Sequence, residues 1–159
     1  MDVIEFTYNQ EELFDKVALH TSYKARFVSE DDSVIDKITM TLDDKPAFEK
    51  ILKKVLVDIY SQTIKLTSDV EDAFKVLDGV ITLKIQDNGF YNKNILEPVK
   101  ASIMDCIETG IVMRWWSLCA NAQLEKEYAA KYASELFTLS SRMFQLRRKP
   151  VTDTLGTLI

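Results

Sequence analysis

The chain has 159 residues, 47% of them hydrophobic and 28% charged, which is the composition of one globular domain and excludes a disordered segment or a small scaffold dependent on disulfides or metal. A net charge of −5 excludes nucleic-acid binding by the surface as a whole, since phosphate neutralisation needs a basic face. No apolar run reaches the roughly 18 residues of a membrane span, and the opening MDVIEFTYNQEE has neither the basic region nor the apolar run of a secretory signal, so neither a membrane partner nor a leader is expected.

In chain order, Val3 to Tyr8 is rich in β-branched and aromatic residues and reads as an edge strand or an extended arm. Asn9 then offers a helix cap, with Glu11 and Glu12 placed to suit the positive end of the helix dipole. The spacing of Leu13, Val17 and His20, with Phe14, Ala18 and Thr21 beside them, predicts a helix from about Gln10 to Ala25. Glu30-Asp31-Asp32-Ser33 is a polar break, after which Ile38, Met40 and Leu42 alternate with polar residues, the pattern of a half-buried strand.

Asp43 or Asp44 caps the next helix, with Pro46 in the first turn, where its missing N–H costs nothing. This helix, Asp44 to about Leu66, carries a wide stripe of Phe48, Ile51, Leu52, Val55, Leu56, Ile59, Tyr60 and Leu66, opposite Lys50, Lys53 and Lys54. A stripe that wide should pack on more than one neighbour. Ser68 then caps a short helix through Val70, Phe74 and Leu77, and Asp78-Gly79 is a turn. Val80 to Gln86 alternates as a strand, ended by Asp87-Asn88-Gly89, and its natural partner is the Ile38–Leu42 run.

From Asn94 or Glu97 the pattern is helical to Arg147, too long for one helix in such a domain, so a break is expected near Ser117–Asn121. The first half bears Ile103, Ile107, Ile111, Trp115 and Leu118, with Gly110 inside it, which costs about 1 kcal/mol relative to alanine unless it allows close helix approach. The second half bears Ala129, Tyr132, Leu136, Leu139, Met143 and Leu146, a coiled-coil-like seam. Arg147-Arg148-Lys149-Pro150 stops it. The expected architecture is mainly α: a helical bundle of four to five helices with a small antiparallel β element, forming a single domain over residues 1–150, followed by an extended tail, 151–159, that is either frayed or docked.

Nothing in the chain carries a catalytic, cofactor or metal signature. His20 is the one histidine and has no nucleophile motif around it, so it reads as a surface or half-buried helix residue. Glu30, Asp31, Asp32 and Asp36 lack the ligand alternation of a calcium loop. The four glycines, Gly79, Gly89, Gly110 and Gly156, form no phosphate loop. Cys106 and Cys119, if on one helix, lie about 20 Å apart, and as packed thiols they suit a reducing cytoplasm. An enzyme would have to assemble its site from scattered acids.

Three features point instead to contacts with other chains. Adjacent Trp115 and Trp116 point about 100° apart on a helix; either one ring is spare for a partner or helices on both sides bury both. The basic end, Arg142, Arg147, Arg148 and Lys149, either neutralises the carbonyl end of its helix or touches passing DNA, the former being the simpler reading. Charge is polarised: Met1–Asp44 holds 11 acids and 4 bases, Lys45–Ile159 holds 14 and 16, which either suits head-to-tail contacts between copies or is simply an uneven spread over a solvated surface. The candidate interface residues are therefore Trp115, Trp116, Arg147, Arg148 and Lys149, together with the apolar tail positions Val151, Leu155, Leu158 and Ile159.

The succession of an acid-capped helix (LDDKPAFEKILKKVLVDIY), a strand-like segment (VITLKIQDNGFYN), a tryptophan-bearing helix (ILEPVKASIMDCIETGIVMRWWSL) and a Tyr/Ala-rich helix with a basic Pro stop (LEKEYAAKYASELFTLSSRMFQLRRKP) resembles small virion-morphogenesis proteins of tailed phages and prophages of gut bacteria, of the head–tail connector or head-completion kind. The resemblance is one of pattern, over about Thr41 to Pro150. It implies a non-enzymatic subunit that forms a ring between portal and tail, through contacts with itself and with other virion proteins, in the bacterial cytoplasm during assembly and then in the virion. The strand alternation and the N-terminal segment depart from it. The alternative is a helical protein-binding or regulatory module acting as monomer or dimer.

Overall fold

The computed structural model describes residues 3–67, 72–87, 89 and 91–147, with side chains 63–67 left aside. Within them the chain runs β1 (Val3–Asn9), α1 (Gln10–Val28), α2 (Asp32–Ile38), α3 (Lys45–Thr67), β2 (Phe74–Leu77), β3 (Val80–Gln86), α4 (Leu96–Leu118) and α5 (Ala122–Arg147). The fold is mainly helical, four long helices and one short, with one three-stranded antiparallel sheet in the order β1-β3-β2.

Helix α4 is the centre. Its residues Val99, Ile103, Cys106, Ile107, Ile111, Val112, Trp115 and Trp116 are buried on all sides, as a helix that is apolar all round must be. It packs against α1, α3 and α5, most extensively α5. The 3-4 seam of α5 (Tyr132, Leu139, Met143, Leu146) lies inside, extended by Leu124 and Tyr128. From α3, Phe48, Ile51, Leu52, Val55, Leu56 and Ile59 are buried, while Lys50, Lys53 and Lys54 are exposed. At Gly110 the neighbouring helices pack tightly: a Cβ there would lie 2.9 Å from both Tyr132 Cε2 and Val55 Cγ1.

The break between α4 and α5 falls at Cys119–Asn121 and is closed by two nested bonds. The amide of Asn121 donates to the Trp116 carbonyl and that of Ala120 to the Ser117 carbonyl, both at 3.0 Å, with Ala120 in the left-handed region at φ 55°. This is a Schellman cap, whose left-handed position is ordinarily glycine. Asn121 then accepts from the Leu124 amide and starts α5.

Two elements differ from the sequence expectation. Ile38–Leu42 is not a strand. The Asp31 carboxylate accepts from the Ser33 amide at 2.9 Å and nucleates α2, which ends at Ile38; the polar break is thus a helix start. Beyond it the Met40 amide donates to Thr21 Oγ1 at 3.0 Å, so its bond goes to α1 and not to a sheet. Met40 still points inward, but Leu42 is exposed and opens a 3-10 turn, Leu42–Asp44, capped by Thr41 and Asp44 together. The second difference is Phe74–Leu77, which is β2 and not a helix; Ser68 and Val70 lie outside the described residues. Asp78 and Gly79, at φ 51° and 76°, make the two-residue turn that pairs β2 with β3. With β2 on one side and β1 on the other, β3 has no edge left for Ile38–Leu42. Val3–Tyr8 is an edge strand of this sheet, its Phe6 and Tyr8 facing inward beside Ile81, Leu83 and Ile85.

Candidate functional site

Polar side chains bind α4 to its neighbours, and the densest group surrounds His20. The Glu108 carboxylate can only accept, so His20 Nδ1 donates to Glu108 Oε1 at 2.9 Å; Nε2 lies 2.7 Å from the Tyr128 hydroxyl, from which it accepts in the neutral imidazole. One imidazole on α1 thereby joins α4 to α5. Lys16 stands 3.6 Å from the second Glu108 oxygen, and Lys24 reaches Glu127 at 2.9 Å. Burial pushes the Glu108 carboxyl upward, but the His20 hydrogen bond and the Lys16 charge outweigh it and hold it below the ordinary glutamate range. Burial, with the charges of Glu127 and Glu108, pushes the Tyr128 phenol up to about 12.

The connectivity is that of a carboxylate–imidazole–hydroxyl relay, but its hydroxyl is a phenol held firmly protonated. Tyr128 also packs edge-on against Trp116, with ring centroids 6.0 Å apart. In the geometry present the group is a clasp between three helices. It borders an open hollow of about 410 Å³ lined by Lys16, Leu19, His20, Tyr23 and Glu108. No local pattern announces it, because Glu108 and Tyr128 are 88 and 108 residues from His20.

Both tryptophans are internal, which corrects the reading of one of them as a spare ring. Trp115 is 7% exposed and its Nε1 donates to the Ile38 carbonyl at 2.7 Å; Trp116 is 0% exposed. Helices on both sides of α4 account for both, through α2 and α5. The basic end is divided. Arg142 turns inward onto the Pro98 carbonyl and Ser102 Oγ, and Arg147 is half-buried. Arg148, Lys149, Val151, Leu155, Leu158 and Ile159 lie outside the described residues. Cys106 is buried and Cys119 half-buried, both free, and burial raises their thiols to about 12 and about 11.

Among the described residues, α5 and α1 each carry a line of exposed apolar side chains. On α5 the side opposite the core carries Ala130, Ala133, Phe137, Ser141 and Phe144, all exposed, with Phe137 at 76% and Phe144 at 70%. No charged residue falls on that line between Lys126 and Arg147. Ala130, Phe137 and Phe144 repeat every seven residues and run for about 21 Å. On α1, Leu19 and Phe27 are each 71% exposed, and Tyr23 between them meets Phe27 edge-on at 5.0 Å. The seven-residue spacing on α5 was open to view in the sequence, masked by the inner seam of the same helix.

A third surface is a cleft of about 440 Å³ between the start of α3 and the end of α4. Its apolar lining is Pro46, Ala47, Ile51 and Leu118, and its rim is Lys50, Lys54 and Arg114. Arg114 is paired with Asp58 at 2.6 Å. Among the described residues no helix is long and apolar enough to cross a membrane, and no three His, Cys, Asp or Glu side chains are grouped to hold a metal ion. Comparison of the chain with protein-family models, curated proteins and solved structures returns no match.

Proposed function

We propose that the protein is a non-enzymatic assembly subunit that joins copies of itself through two different faces, as a head–tail connector subunit does in forming a ring. The observation that carries this reading is the second face of α5. A helix already packed on α4 by one seam presents another apolar line to solvent, and an exposed apolar stripe of this kind marks an interaction surface. The stripe on α1 supplies a face of different composition on a different helix. A head-to-tail contact needs two unlike patches per subunit. Burying one phenylalanine contributes about 1.5–3 kcal/mol, so Phe137 and Phe144 together offer a substantial part of a stable contact.

The order of elements from Thr41 onward adds the phage connector as the specific class, with portal and tail proteins as the other partners, and with the bacterial cytoplasm and then the virion as the setting. Light scattering of the full chain over a wide concentration range tests the reading. The mass is expected to rise above the 18.3 kDa of one chain, and electron microscopy of the concentrated protein is expected to show closed rings. A mass that stays at one chain throughout contradicts it and favours a module that binds a different protein.

A further inference from the structure

The cleft between α3 and α4 has cations on its rim that the fold does not use. Lys16, Lys24, Lys45 and Arg114 each meet a carboxylate within the chain. Lys50 and Lys54 are exposed and form no ion pair with any described residue. They are four residues apart on α3, so their side chains stand side by side on one face, with Cβ atoms about 5–6 Å apart. The opposite pattern exists on α2. Asp32 and Asp36 are also four residues apart, exposed, and without an ion-pair partner among the described residues. Glu30 extends the acidic edge, while Asp31 is engaged with Ser33 as the helix cap.

We infer that the cleft is the seat for α2 of a second copy of this chain, Asp32 and Asp36 of one subunit meeting Lys50 and Lys54 of the next. This inference rests on the assembly reading and gives the contact its direction. The two edges match in sign and in spacing, and each copy carries both. One subunit's acidic edge therefore occupies its neighbour's cleft while its own cleft stays open for the following copy, the condition for head-to-tail growth. Exposed ion pairs contribute little strength. Their effect is to select register and to repel the wrong face, while the apolar lining and the stripes on α1 and α5 supply most of the affinity.

Sedimentation of two full-length variants tests this. In Lys50→Glu/Lys54→Glu the cleft and α2 are both acidic; in Asp32→Lys/Asp36→Lys both are basic. Each alone is expected to associate at least about ten-fold more weakly than wild type. An equimolar mixture is expected to regain association, since each variant's cleft then meets an α2 of opposite charge. Circular dichroism verifies that both variants fold, and Lys50→Ala/Lys54→Ala, which leaves α2 untouched, is expected to weaken association and flatten its salt dependence. If wild type associates but the reversed variants associate equally well, or their mixture gains nothing over either alone, the inference fails and the assembly reading stands. If wild type remains a single chain at every concentration, both fail.

Discussion

Gly110 of α4 lies so close to Tyr132 of α5 that a Cβ built on the glycine would meet the ring at 2.9 Å, and Val55 of α3 at the same distance. The contact sets how near three helices approach at the middle of the bundle. Gly110→Ala gains about 1 kcal/mol of helix propensity but forces a methyl into closed packing, at about 1–3 kcal/mol. A net loss of up to about 2 kcal/mol is expected in urea unfolding. The double variant Gly110→Ala/Val55→Ala should lose less than the two single losses added together, because the second change removes an atom that the first collides with.

The opposite sign is expected at Ala120. Its φ of 55° costs an alanine about 1–2 kcal/mol that a glycine escapes, and the Schellman bonds around it fix the conformation. Ala120→Gly should stabilise the protein by about 0.5–1 kcal/mol after the added freedom of the unfolded chain is counted. A fall in melting temperature would contradict the assignment of this cap.

Around His20 the sign of the pH dependence follows from Glu108, whose carboxyl is held below its ordinary range by the His20 bond and the Lys16 charge against the opposing effect of burial. A folded-state carboxyl that is more acidic than the unfolded one contributes stability above the ordinary glutamate value, and that stability is lost as the pH falls through the folded value. Glu108→Gln is expected to lower stability by about 1–2 kcal/mol at neutral pH. The variant should lose less than wild type between pH 5 and pH 3, measured by denaturant midpoints, an interval set at about the ordinary glutamate value. Equal acid losses in the two proteins would show that the clasp does not depend on the carboxylate charge.

In alkali the buried phenols and thiol act together. Burial raises Cys106 and Tyr128 to about 12 and pushes Tyr8 and Tyr132 up as well. A group with a raised folded value stabilises the protein fully below its unfolded value and ceases to do so as the pH rises through the folded one. Stability should therefore decline from about pH 9 to about pH 12. The Tyr132 hydroxyl, buried without a hydrogen-bond partner among the described residues, allows a separate check: Tyr132→Phe is expected to be neutral or to gain up to about 1 kcal/mol at pH 7 and to reduce the alkaline loss.

Local chemistry carried most of the helices into view. The cap at Asn9, the proline at the start of α3, the stripe from Phe48 to Ile59, the Asp78-Gly79 turn and the break after Leu118 each depend on neighbours within a few residues, so periodicity reveals them. Ile38–Leu42 misled because two inward side chains, Ile38 and Met40, bracket a helix end followed by extended backbone, which imitates strand alternation. Phe74–Leu77 misled because its pairing is set by the turn that comes after it. The clasp of His20 with Glu108 and Tyr128, and the seat of Trp115 on the Ile38 carbonyl, join residues far apart in the chain and leave no local trace. The outward line on α5 was legible as spacing, but only the burial of the opposite seam shows that Phe137 and Phe144 are left over.

The double variant Phe137→Glu/Phe144→Glu places two charges on that outward line without touching the core, and changes of this kind on an exposed helix face alter stability by only about 0.5 kcal/mol. Sedimentation velocity of wild type and variant, at matched concentrations and with matched helical circular-dichroism spectra, addresses the assembly claim most directly. Wild type is expected to sediment as a species heavier than one chain and the variant as a single chain. Identical sedimentation of the two proteins would contradict the claim that the outer face of α5 is where copies of this protein meet.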